Sequence, residues 1–266
     1  MTRVCLAALA AACLAGPAAA EPTTEPVPIA GGFHRVVLRV PFRLEVTEGE
    51  TAVTVTTERP VRDRLRVEVR GDDLVVDSER ELPWGASGLV AVRMKEFRGL
   101  RIDGSGDARV VAGPAPRDVS LEIRGSGDAS FRGAARSLAV EIAGSGDVRA
   151  EADAESVSIE VGGSGNVVYA GRAGSAEVEI SGSGNVKLGG SGQSLAAETD
   201  GSGDVDASGF PVKQARVETR GSGDVSVRLD GGTLRARISG SGDVSWSGTG
   251  EAAEVRISGS GDVRRR

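Results

Sequence analysis

Apolar and polar residues alternate strictly through most of this chain, and the alternation keeps its phase around a recurring glycine-rich step. In the run that leads to Asp147, Leu138, Val140 and Ile142 share one parity with Gly144 and Gly146, and Val148 and Ala150 continue it. The next unit places Val157, Ile159, Val161, Gly163, Gly165, Val167 and Tyr169 on the same parity, and the one before places Val119, Leu121, Ile123, Gly125, Gly127, Ala129 and Phe131 there. A period of two over short runs predicts strands with one buried face, and no helical period competes with it.

The step itself is Gly-Ser-Gly followed by Asp or Asn. Nine copies begin at Gly104, Gly125, Gly144, Gly163, Gly182, Gly201, Gly221, Gly240 and Gly259, 19 to 21 residues apart. A fixed period of that length is the signature of a stacked repeat, in which each unit buries its face against its neighbours. Glycine permits φ > 0 and close backbone approach at a corner, and Asp or Asn suits a turn. Asn166 and Asn185 are the only asparagines in the chain, and both stand where the other units have Asp. That interchange implies a need for a short acceptor side chain more than for a charge. Further breaks at Gly113-Pro114, Gly133, Gly171, Gly189-Gly190, Gly209 with Pro211, Gly231-Gly232 and Gly248 fall between the corners. Each unit therefore reads as strand, corner, short strand, looser turn. The predicted fold is all-β, a single parallel β-helix or β-solenoid with coils of about 19 residues, stacked about 4.8 Å apart.

The rest of the chain is read around this array. Residues 1–20 have the three parts of a secretory signal peptide: Arg3, an apolar run from Val4 to Leu14, and small residues Ala18-Ala19-Ala20 before Glu21. A lipoprotein reading would acylate Cys13, but Ala10-Ala11-Ala12 precede it, without the Leu expected three residues earlier. Both cysteines, Cys5 and Cys13, lie in this segment, so the mature chain forms neither disulfides nor thiolate metal sites. Residues 21–32 are rich in Pro and Thr and are expected to be a flexible lead-in. Residues 33–103 alternate less regularly, as in Val36 to Val46, Leu65 to Val69 and Val90 to Met94, and read as irregular first coils and an N-terminal cap. The alternative is a separate small β domain. Residues 104–266 are the regular array. Arg264-Arg265-Arg266 follow the last corner and read either as charged guards of an open strand edge or as a docking end, with end-to-end self-association as its outcome.

A start of Gly32-Phe33, Val46-Thr47-Glu48-Gly49 and the serial Gly-Ser-Gly-Asp-Val units together resemble the bacterial putative auto-transporter adhesin, head GIN domain family. The resemblance covers about residues 30–266. It implies a secreted or surface-associated β-helical protein and brings no catalytic residue with it. No run of barrel strands follows the repeats, so self-transport across an outer membrane is not expected.

Charge and chemistry narrow the function. The chain carries 32 Lys and Arg, of which Arg3 lies in the leader, against 38 Asp and Glu. The mature chain is thus acidic, with a net charge of −7 (31 less 38), which argues against nucleic acid as a partner. No apolar run past Ala20 would span a bilayer. Stacking sets Asp107, Asp128, Asp147, Asp204, Asp224, Asp243 and Asp262 in one column. Glu122, Glu141, Glu160, Glu179, Glu198 and Glu218 form a second, flanked by Arg101, Arg237 and Arg256. Like charges about 4.8 Å apart repel by roughly 1 kcal/mol per pair in a water-like dielectric. Calcium bound along the Asp column would relieve this; solvated, salt-screened columns with Asp serving the turns are the favoured reading. The column of serines, from Ser105 to Ser260, reads in the same way as turn residues rather than a hydroxyl array. His34 is the only histidine and has no triad or zinc-site companions. Of the aromatic residues suited to stacking on a sugar, Tyr169 and Trp246 share the inward position of Phe131, and Trp84, between Pro83 and Gly85, is the exposed candidate.

These features predict a non-enzymatic secreted or cell-envelope β-solenoid, adhesin-like or a scaffold, with no catalytic residues and no cofactor beyond the calcium option. Its partner would be an envelope protein, a glycan or a host surface. The protein is expected in the periplasm, on the cell surface or outside the cell. The alternative is a polysaccharide-binding or polysaccharide-cleaving β-helix.

Overall fold

A computed structural model describes residues 21–266; the expected signal peptide, residues 1–20 with Cys5 and Cys13, lies outside them. Strands stack as parallel coils of about 19 residues, forming a β-solenoid of about nine turns. The strands are β1 (Thr23–Val27), β2 (Arg35–Leu38), β3 (Arg43–Glu48), β4 (Ala52–Thr57), β5 (Leu65–Arg70), β6 (Asp73–Ser78), β7 (Gly88–Met94), β8 (Gly99–Gly104), β9 (Asp107–Val111), β10 (Asp118–Gly125), β11 (Ala129–Ala134) and β12 (Ser137–Ile142). From there each coil is one long strand: β13 (Val148–Val161), β14 (Val167–Ile180), β15 (Val186–Thr199), β16 (Val205–Thr219), β17 (Val225–Ile238) and β18 (Val244–Ile257), with β19 (Val263–Arg265) after the last corner. One short helix, α1 (Arg59–Arg62), joins β4 to β5.

The alternation maps onto the core as its parity requires. Leu138, Val140, Ile142, Val148, Ala150 and Ala152 are all buried, and the polar residues between them face out. Consecutive units align in register, for example Val148 with Val167 and Glu141 with Glu160. The core is one continuous apolar column, closed with aromatic pairs such as Phe97 on Phe131 and Tyr169 against Phe210.

Three details differ from expectation. From β13 onward the breaks between corners do not end strands, although those at Gly113-Pro114 and after Gly133 do: Gly171 pairs with Gly190 and Arg172 with Ser191 inside one ladder. Glycine lets the strand bend there while both neighbours keep their hydrogen bonds. The single 20-residue step, from Gly201 to Gly221, is absorbed by register shifts between Asp206 and Gln214. Part of the 21–32 stretch, expected as a flexible lead-in, is strand β1, antiparallel to β4.

The first coils are also out of chain order. β2 lies between β6 and β8, and β3 between β7 and β9. After β1 at the outer edge, the chain enters at β2 and β3, runs out to build β4 to β7 outside them, and returns on their other side as β8 and β9. Antiparallel pairs β1–β4, β4–β7 and β5–β6 close this end. Turning the outermost strands antiparallel lets short hairpin-like connections cover the edge of a parallel stack.

Candidate functional site

The corner column is the most repeated feature, and its geometry shows what it does. The second glycine of each corner has an ordinary φ, so conformational freedom is not what demands it. A Cβ on Gly146 would lie 2.0 Å from the Gly127 carbonyl oxygen, and one on Gly165 would lie 2.1 Å from that of Gly146. Each corner glycine therefore leaves room for the backbone of the coil beneath it. The corner is also bonded to the coil beneath through its first glycine: the Ser145 and Gly146 amides both donate to the Gly125 carbonyl, at 2.8 and 3.2 Å.

The Asp/Asn column adds a second rail. The Asp147 amide donates to Asp128 Oδ1 at 2.9 Å, Asn166 to Asp147 at 2.8 Å, Asn185 to Asn166 at 3.2 Å and Asp204 to Asn185 at 3.1 Å. The same bond runs from Asp128 to Asp107, from Asp224 to Asp204, from Asp243 to Asp224 and from Asp262 to Asp243. Either Asp or Asn supplies this acceptor, and Asn166 and Asn185 add a side-chain bond to the residue below. Among the described residues no three carboxylate or imidazole groups converge as metal ligands would. The column holds at most one aspartate per coil instead, and all but the last, Asp262, have an oxygen engaged by the backbone of the next coil.

The glutamate column also lies in register, from Arg101 through Glu122 and Glu218 to Arg256. Its ends are relieved by arginine: Arg101 lies 3.8 Å from Glu122, and Arg220 bridges Glu198 and Glu218. His34 sits 3.9 Å from Asp72 on the surface. Exposed pairs hold several carboxyls low: the Arg136 guanidinium and then the Ser137 hydroxyl pull Asp118 down to about 2.

The irregular end carries something different. Trp84 is fully exposed, while Tyr169 and Trp246 are buried, the latter with Arg265 over its ring at 4.8 Å. The exposure is constructed. The Ala86 amide closes a turn on the Pro83 carbonyl at 3.0 Å, and Gly85 takes φ 77°. Positive φ at the third residue of a four-residue turn makes it type II, which sets Trp84 at the outer corner. Both arms of the loop are tied down. Thr57 Oγ1 donates to the Ser87 carbonyl at 2.8 Å, and Arg64 to the Glu81 carbonyl at 2.6 Å. Leu82 and Ala86 pack partly against the core on either side.

Beneath Trp84 lies an open cleft of about 820 Å³, lined by Pro41, Pro60, Thr56, Glu58, Ser87 and Ser105 among others. Arg43, Glu45 and Asp107 line it too and also line a second groove of about 510 Å³. That groove follows the corner face through Arg109, Asp128, Ser130, Asp147 and Arg149. Register explains the continuity, since Arg43 pairs with Asp107 and Glu45 with Arg109 on adjacent strands. Trp84 was legible as an exposed candidate from its Pro and Gly neighbours. Arg43 and Glu45 were not, because only the out-of-order layering brings β3 beside β9.

A repeat solenoid with a bonded corner column and one irregular, tryptophan-bearing end defines the class. The family model for the "putative auto-transporter adhesin, head GIN domain" matches residues 32–211, 151–250 and 212–266. The chain belongs to that family. Comparison with curated proteins gives no match. Solved structures share the fold. A "putative lipid binding protein" from Parabacteroides distasonis is 21% identical, with a TM-score of 0.71 over 92% of this chain and 97% of that one. A "putative adhesin" from the same species is 17% identical, with a TM-score of 0.68 over 93% and 98%. Another from Parabacteroides merdae is 18% identical, with a TM-score of 0.63 over 92% and 96%.

Proposed function

We propose that this protein is an exported, non-enzymatic binding module of the cell envelope, adhesin-like in use. The observation that carries this is the division of labour in the fold. The regular coils commit their repeated corner to stacking, while the irregular end presents a tethered, fully exposed tryptophan over a cleft. An indole held in water by a built turn is placed for contact with something outside the chain. The family's name and those of two structural neighbours agree with an adhesin role. The leader at residues 1–20 supports export to the periplasm or beyond.

The second reading is a polysaccharide-cleaving β-helix, favoured by the carboxylates of Glu45, Glu58 and Asp107 in the same cleft. The test is an array of glycans, matrix proteins and envelope proteins probed with residues 21–266, with calcium and with chelator, alongside an assay for new reducing ends. Specific binding without reducing ends is the expected result. Release of reducing sugar would replace the binding reading with the enzymatic one, and a blank array would overturn it. Binding lost only in chelator would assign calcium to the acidic columns.

A further inference from the structure

We infer that the Trp84 cleft and the groove that continues it bind a neutral, linear glycan lying along the solenoid axis; this rests on the reading of the chain as a binding module.

The shape comes first. The two cavities share Arg43, Glu45 and Asp107, so together they form one trough that starts at Trp84 and crosses successive coils. Coils repeat about every 4.8 Å, so the trough offers similar polar groups at regular intervals to an extended polymer. A compact ligand would use only one end of it.

The lining selects the chemistry. Trp84 offers an apolar face that suits the C–H face of a sugar ring. Around it stand hydroxyls from Thr56, Ser87 and Ser105, carboxylates from Glu45, Glu58 and Asp107, and the Arg43 guanidinium. Sugar hydroxyls both donate and accept, so they satisfy carboxylate acceptors and guanidinium donors together. Among the described residues neither Arg43 nor Arg109 has an ion-pair partner within 4.0 Å, which leaves their donors to a ligand. The cleft holds three carboxylates to one guanidinium, so a polyanion such as a uronic-acid polymer, nucleic acid or anionic headgroup would be repelled.

The test is a titration of residues 21–266, followed by tryptophan fluorescence and calorimetry. The probes are hexasaccharides of β-linked glucose, xylose, mannose and N-acetylglucosamine. Oligogalacturonate and vesicles of phosphatidylcholine or phosphatidylglycerol form the other arms. At least one neutral hexasaccharide should give a saturable blue shift in wild type. Trp84→Ala should weaken its binding at least about tenfold, as expected for an aromatic anchor. Arg43→Ala should weaken it less, and Glu177→Ala, which lines neither the cleft nor the groove, should leave it unchanged. The turn is external, so Trp84→Ala should keep the wild-type melting temperature; Trp84→Phe should partly restore binding. Saturation by oligogalacturonate or vesicles alone, or by none of the probes, would overturn the inference. So would neutral-glycan binding that Trp84→Ala leaves intact, although that outcome would spare the binding-module reading. A positive array of protein ligands with no glycan response would do the same.

Discussion

A methyl group has nowhere to go at the solenoid corner. On Gly146 it would lie 2.0 Å from the Gly127 carbonyl oxygen, which is backbone and moves only if the stack opens. Gly146→Ala should therefore cost about 2 to 3 kcal/mol, the scale of overpacking a tight site. Gly49→Ala, with open space around it and no positive φ, should cost well under 1 kcal/mol by comparison; chemical denaturation of both variants checks the contrast. At Asp147 the acceptor matters more than the charge. Asp147→Asn should keep stability and Asp147→Ala should lose about 1 kcal/mol, because the Asn166 amide then lacks its partner. Thr199 and Thr219 stand one above the other in a row otherwise filled by aliphatic residues, fully buried, and their hydroxyls have no partner. Thr199→Val keeps the shape and removes the orphaned group, so it should raise the melting temperature, by about 1 kcal/mol in stability.

At the scale of the coil, the strands from β13 onward bend at glycines without breaking, and a buried phenol stands beside one bend. Tyr169 lies inside the coil with its hydroxyl donating to the Ala152 carbonyl at 2.8 Å, beside the bend at Gly171. Burial, then the nearby Asp153 charge, pushes its phenol up to about 12. The unfolded chain loses that proton near pH 10 while the folded chain keeps it, so stability is full below pH 10 and falls as pH rises toward 12. A pH series of melting temperatures should show this alkaline loss, and Tyr169→Phe should remove the part that begins near pH 10. This scale was the most legible in the sequence. Period-two alternation placed Leu138, Val140 and Ile142 inward, and the constant spacing aligned Glu141 with Glu160. For glycine at 146 the sequence offered both positive φ and close backbone approach; the carbonyl of the coil below shows that the second is the reason. The unbroken ladder through Gly171 was not legible, since a turn and a bend use the same residue.

At the scale of the molecule, the repeat and the candidate site lie apart for a physical reason. A regular coil must match its neighbours on both sides, so its corner residues are committed to stacking. The end layer has one neighbour only, and its connections are free to form turns such as Pro83–Ala86. Its strand order was hidden from the sequence because alternation records which face is buried, not which edge pairs with which. Hence β2 and β3 slip between later strands, and Arg43 meets Asp107 and comes to line the Trp84 cleft.

The corner column holds the coils together, and the irregular end is free of that task. Amide hydrogen exchange of residues 21–266, resolved at the corners, tests this most directly. The amides of Ser145, Gly146, Asp147 and Val148 donate to neighbouring coils at 2.8 to 3.2 Å although the corner is at the surface. They should exchange as slowly as those of the core residues Ile159 and Val178, while the Trp84 and Gly85 amides exchange quickly. Rapid exchange at the corners, with slow exchange confined to the core strands, would contradict the account and return the Gly-Ser-Gly-Asp column to the ranks of free surface.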